Sequence, residues 1–161
     1  MRKIISFFIG CFFVSFTNFA QEDIVTSVDE IESEVVLNWS ENYKKALKQS
    51  KKENKPILIY FTGSDWCGPC QVLDRDLFHT EKFKAFSEKS LVLLEVDLPR
   101  RVDLLPTNKL KENYYLKSKY NVTSFPTLIV INDKEKIIGQ RKGVILTEYY
   151  YPFFESVINK Y

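Results

Sequence analysis

The chain has 161 residues, 27% of them charged and 45% hydrophobic, with 15% aromatics, three cysteines and a net charge of +2. That length suits one domain with a buried core, and the composition excludes wholesale disorder, collagen-like or low-complexity repetition and a disulfide-dense miniature fold. Residues 1–20, MRKIISFFIGCFFVSFTNFA, distort these totals.

Arg2 and Lys3 precede an apolar run from Ile4 to Phe16, broken by Ser6, Gly10, Cys11 and Ser15. Asn18-Phe19-Ala20 then offers a small residue before the polar Gln21-Glu22-Asp23. This is the pattern of a secretory signal peptide spanning 1–20. An uncleaved anchor is the competing reading, but the run falls short of the ~20 residues that span a bilayer. A lipoprotein cut before Cys11 fits less well, because Phe12-Phe13-Val14 stays apolar where a polar tether should begin. Cleavage removes Arg2 and Lys3, bringing the 23 basic residues down to match the 21 acidic ones. A neutral mature protein leaves no basic face for nucleic acid. Cys11 leaves too, and the mature cysteines are a single close pair, Cys67 and Cys70. The expected location is outside the cytoplasm, in the periplasm, with no stable membrane insertion after cleavage and a membrane anchor if the segment is retained.

Residues 21–38 hold six acids and no Lys or Arg, and are expected to form a solvated acidic leader ending in a short strand at Val35-Val36-Leu37. Ser40 is a candidate cap for a helix whose inner face is Tyr43, Ala46 and Leu47, ended by Lys55-Pro56. Ile57-Leu58-Ile59-Tyr60-Phe61 reads as a strand buried on both faces, with Gly63 as its breaker. A helix is expected to start at or just after Cys67, since Pro69 is tolerated in a first turn. It should kink or restart near Thr80, a fresh cap ahead of Phe83 and Phe86. Leu91 to Val96 is a second buried strand, followed by a long loop. Asn108 is the candidate cap of the next helix. Leu128 to Ile131 and Ile137-Ile138 form a hairpin around Asn132-Asp133-Lys134, with Gly143 closing it, and a last helix starts at Thr147. Strands alternating with helices and ending in a hairpin predict an α/β domain over 39–161, a central mixed sheet flanked by helices.

Trp66-Cys67-Gly68-Pro69-Cys70 sits between a predicted strand and a predicted helix. Free N–H groups at a helix start favour an anion, which makes Cys67 the candidate thiolate, with a pKa below the free value of ~8.5. Cys67 would attack a substrate disulfide, and Cys70, one turn on, would resolve the mixed disulfide. Two other readings compete with this one. A zinc site wants four ligands, and the mature chain adds only His79 to the two cysteines, so no metal is expected. A purely structural disulfide would close so short a loop that it constrains little of the unfolded chain.

Ile57 to Phe61, the Trp66–Cys70 motif and Phe125-Pro126-Thr127-Leu128 together resemble thioredoxin and its exported relatives, over roughly Trp39 to Tyr161. Thr62 to Trp66 and Val96 to Arg100 look closest to exported single-domain thioredoxin-like proteins. The resemblance implies a thioredoxin fold, Cys67 as nucleophile, Cys70 as resolving residue, and Pro126 cis beside the cysteines. An X-Pro bond adopts cis at only ~0.5–1 kcal/mol, and such a turn would present the Phe125 backbone to an extended substrate strand. A trans proline opening a strand is the ordinary alternative. Trp66 is expected to shape the rim, Phe125 and Pro126 to bind substrate, and Gly68-Pro69 to tune the redox potential. No cofactor is expected.

The chain departs from the family where thioredoxin carries a buried aspartate: alignment of the apolar runs puts Tyr60 there, and Leu93 where a lysine accompanies it. Glu95 and Asp65 are the candidates to handle the proton of Cys70. His79 reads as a solvated helix-end residue, the Tyr149-Tyr150-Tyr151 run as packing and surface, and Arg100 and Arg101 as solvated loop charges with a partner contact as the alternative. The expected function is thiol–disulfide oxidoreduction, reducing or isomerising disulfides of exported proteins with a membrane thiol electron donor. The alternative is a non-catalytic binding or assembly protein with incidental cysteines.

Overall fold

Five consecutive apolar residues need cover on both sides, and the sheet supplies it by placing them in its interior. The computed structural model describes residues 35–161; the expected signal segment 1–20 and the leader through residue 34 lie outside them. Strand β1 (Ile57–Thr62) pairs in parallel with β2 (Val92–Asp97) and antiparallel with β3 (Thr127–Ile131), which pairs with β4 (Ile137–Lys142). The order is β2-β1-β3-β4. Ile57, Ile59 and Phe61 face one layer, formed by α1 (Tyr43–Glu53) and α4 (Thr107–Lys119). Leu58 and Tyr60 face the other, formed by α2 (Gly68–Leu73), α3 (Glu81–Ser90) and α5 (Tyr150–Ile158). All five of these β1 side chains are fully buried. At ~2 kcal/mol for each large apolar side chain, their burial contributes roughly 10 kcal/mol before entropy is set against it.

The expected element order holds, and four local expectations are corrected. Residues 35–38 form no strand: the first pairing is a single parallel bridge from Trp39 to Leu93. The chain turns there at once, Trp39 N–H donating to Leu37 O and Ser40 N–H to Leu93 O. Ser40 is therefore occupied, and Asn42 caps α1 by accepting the Lys45 N–H at 2.8 Å. The helix stops before Lys55-Pro56, because Asn54 adopts the left-handed conformation (φ 53°) that a short polar side chain tolerates. α4 begins at Thr107, ahead of Asn108; Pro106 precedes it without a side-chain cap, and its carbonyl accepts the first helical bond from Leu110. The last helix opens as a 3-10 turn (Thr147–Tyr149) and becomes α-helical at Tyr150.

The expected kink after α2 is a π-helical turn (Asp74–Phe78). Thr80 restarts the chain as α3, its hydroxyl accepting the Phe83 N–H at 3.2 Å and donating to Leu77 O at 2.7 Å. Among the described residues, no helix is long and apolar enough to cross a membrane.

Candidate active site

The end of β1 and the start of α2 hold the cysteines. Trp66 and Cys67 both donate their N–H to Gly63 O, wrapping the loop into a tight turn, and Cys67 becomes the N-cap of α2. Cys67 and Cys70 are joined as a disulfide across one turn, with Cα atoms 5.2 Å apart. The Cys70 N–H points at Cys67 Sγ, 3.2 Å away. In the reduced state that donor, with the helix start behind it, favours negative charge on Cys67 over Cys70. Cys70 is fully buried while Cys67 keeps 3% of its surface, so the outer sulfur belongs to the candidate nucleophile. Gly68 and Pro69 are exposed, and apart from its chain neighbours and the helix backbone nothing stands within 4 Å of where a Cβ on Gly68 would be, which leaves the mouth beside Cys67 open.

Trp66 forms the rim. Its Nε1–H donates to Leu98 O at 2.9 Å, and its ring meets Phe125 edge-on at 5.4 Å. Gly63 permits this: a Cβ there would collide with the indole. The Phe125–Pro126 peptide is cis, its turn closed by Thr127 Oγ1 donating to Ser124 O (2.7 Å) and by Gly143 N–H donating to Pro126 O (2.8 Å). The β1–β3 ladder begins at Thr127, so the Phe125 backbone lies beyond it. Trp66, Phe125, Pro126 and the two cysteines are thus brought to one end of the sheet.

Two carboxylates fix the loops. Asp97, at the end of β2, accepts from Ser64 N–H (2.8 Å) and Ser64 Oγ–H (2.7 Å). Asp65 accepts the N–H groups of Arg100 and Arg101, both at 2.9 Å. Those backbone donors hold the Asp65 carboxyl below the ordinary range. Asp65 therefore braces the loop on the exposed side, its carboxylate engaged by backbone donors.

Around Tyr60, which touches Cys70, lies a cluster of acids. Tyr60 donates its hydroxyl to Cys70 O at 3.3 Å and is the register partner of Glu95, so both side chains point towards α2. Burial, then the charges of Asp97 and Asp74, push the Glu95 carboxyl up to about 7. Asp74 is half-buried one turn after Cys70, and burial pushes it up as well, against the opposing pull of Tyr60 and His79. Tyr60 is also raised, chiefly by burial. Asp74 and Asp97 were not singled out in the sequence. Asp74 stands four residues after Cys70, the spacing that puts two side chains on one helix face, and that signal was available. Asp97 looks like any strand-end acid until the fold brings Ser64 against it.

His79 is exposed at the end of the π-helical turn, its N–H on Asp74 O. Tyr149 is exposed, and Tyr150 is buried with its hydroxyl against Ile145 N–H and Gly143 O. Among the described residues, no three His, Cys, Asp or Glu side chains converge as metal ligands.

A family model described as thioredoxin-like matches residues 38–132. The chain is 38% identical over 104 residues to "Disulfide bond reductase DsbH" of Chlamydia pneumoniae, a match covering 65% of this chain and 61% of that protein. It is 32% identical over 101 residues to "Thioredoxin-related protein DsbJ" of the same organism, covering 62% of this chain and 28% of that one. The chain therefore spans about three fifths of the first relative and just over a quarter of the second. Among solved structures, a DsbH oxidoreductase superimposes with a TM-score of 0.70 at 32% identity, covering 78% of this chain and 87% of that one. A thioredoxin from Thermus thermophilus gives 0.63 at 21% identity, covering 78% and 90%. That last likeness speaks for the fold alone.

Proposed function

The chain belongs to the thioredoxin-like family, and from that premise we propose that it is a thiol–disulfide oxidoreductase working through Cys67 and Cys70. The observation that carries this reading is the Cys67–Cys70 disulfide at the head of α2, with the Cys70 N–H aimed at Cys67 Sγ. In the reduced protein the Cys67 thiolate attacks one sulfur of a client disulfide. A Cys67–client bond forms, the client S–S bond breaks, and one client thiolate leaves. Cys70 then gives up its proton and attacks Cys67 Sγ, forming the intramolecular disulfide and releasing the second client thiolate. Two electrons pass from the dithiol to the client.

The proton of Cys70 goes to the acids beneath it. With Tyr60 in place of an acid on β1, Glu95 and Asp74 are the carboxylates around that cysteine, and a carboxyl near 7 exchanges protons readily at neutral pH. Trp66, Phe125 and Pro126 receive the client, whose extended backbone pairs with Phe125. Gly68-Pro69, the thioredoxin spelling, and the reductase name of the Chlamydia relative favour reduction or isomerisation. The signal-like pattern of residues 1–20 favours work on exported proteins in the periplasm. Repeated turnover there requires a membrane-held dithiol to re-reduce the pair, since the compartment is kept oxidising.

Trapping tests the roles. Cys70→Ala should accumulate mixed disulfides with client proteins and Cys67→Ala should not; equal trapping by both overturns the assignment. Titration of the pair against glutathione tests the direction. A potential near ~−270 mV supports a reductant, and one near ~−120 mV an oxidant.

A further inference from the structure

The rim beside Cys67 carries one cation with a particular setting. Arg100 is exposed, and its guanidinium lies over the Trp66 ring, 5.2 Å from the centroid. The residue is held from both ends: Asp65 fixes its backbone N–H, and Trp66 is itself fixed by Leu98 O and by the space that Gly63 leaves. Its neighbour Arg101 is paired with Asp103 at 3.0 Å. Arg100 makes no ion pair within 4.0 Å among the described residues; the Asp65 carboxylate is close enough to feel its charge but is engaged by the backbone N–H groups of Arg100 and Arg101. An arginine resting on an indole is ordered without a counter-ion, and its N–H fork stays free for a planar carboxylate.

We infer that Arg100 is a specificity-determining residue that reads a client carboxylate, an Asp or Glu side chain next to the cysteine under attack. This rests on the oxidoreductase reading and adds a substrate class to it. Trp66 directly precedes Cys67, so a client cysteine bonded to Cys67 brings its flanking residues over the indole. There a carboxylate meets the Arg100 fork and a lysine meets repulsion. The contact exists in the bound client before and during sulfur exchange alike, so it acts through KM more than through kcat.

The test uses two synthetic disulfide peptides identical except for Glu or Lys beside the cysteine. Wild-type protein should favour the Glu peptide roughly five- to tenfold in kcat/KM at low salt, chiefly through KM, with the preference collapsing at 0.5 M salt. Arg100→Gln should bring the ratio near one and Arg100→Glu should invert it, while Arg101→Gln should keep the wild-type ratio. An even-handed wild type, or a preference that survives Arg100→Glu, overturns the inference. A second measurement needs no turnover: in the Cys67→Ser/Cys70→Ser protein, the Glu peptide should shift the NMR signal of the Trp66 indole N–H more than the Lys peptide, and only with Arg100 present. If neither peptide is reduced, the oxidoreductase reading has failed, and equal indole shifts with both peptides then overturn the Arg100 inference separately.

Discussion

Replacing Glu95 by Gln should remove a pH dependence from the stability of the fold. Glu95 is an acid on a sheet face that otherwise packs Leu93, Tyr60 and Leu128 under α2, and burial with the charges of Asp97 and Asp74 pushes its carboxyl from 4.5 up to about 7. In the unfolded chain the same group titrates near 4.5, so between those values the folded protein holds a proton that the unfolded chain releases. The folded state is therefore favoured below pH 4.5, and the advantage is lost as pH rises through 7. At about 1.4 kcal/mol for each pH unit separating the two values, the full swing is at most about 3–4 kcal/mol. Gln has nearly the same shape and cannot ionise. Urea denaturation of the oxidised proteins should give similar stabilities at pH 4.5 and a Gln variant more stable by up to about 3–4 kcal/mol at pH 8. Parallel curves for the two proteins across this range would refute the buried-acid argument.

The same substitution should slow the second half of the reaction. Release of client from a preformed mixed disulfide at pH 7 should fall on the order of tenfold in Glu95→Gln, and on the order of a hundredfold when Asp74→Asn is added, with the loss shrinking at high pH where Cys70 ionises unaided. Rates that ignore both changes remove the acids from the mechanism. Gly63→Ala places a methyl group in the Trp66 indole and should cost about 1–3 kcal/mol, shift Trp fluorescence and depress insulin reduction. Tyr43→Phe deletes one partner of the buried 2.6 Å contact between the Tyr43 and Tyr120 hydroxyls. Both tyrosines lie on the α1–α4 side of the sheet, away from the cysteines, so the change should lower stability by ~1 kcal/mol in urea titration and leave the redox potential of the cysteines unchanged.

Alternation of apolar runs with helical faces made the layer architecture legible, because β1 is buried on both sides and its sequence says so without ambiguity. The cysteine pair was legible for a similar reason: spacing, the proline in the first turn and the preceding strand all point to one local geometry. Helix starts were less so. Ser40 and Asn108 are sound caps in isolation, but a bridge to Leu93 claimed the first and Pro106 set an earlier start for the second. The acids around Cys70 show the remaining gap. Glu95 could be placed by counting along a strand, whereas Asp65 and Asp97 exchange their apparent importance only when the loops after β1 and β2 meet. Contacts between loops distant in sequence carry no periodicity to read.

Trp39 has a bearing on where this domain may be cut. It is joined to Leu93, two residues before Glu95, and its ring packs on Tyr60 at 6.2 Å and on Phe78 at 5.5 Å. The indole thus covers Tyr60, whose hydroxyl bonds Cys70 O, and it is supplied by chain that precedes the first helix. A fragment begun at α1, where a boundary drawn from helices and strands alone would fall, would retain both cysteines and strip the cover from Tyr60 and Phe78 behind them. The entrance to the domain is part of the core on which the cysteine-bearing helix rests.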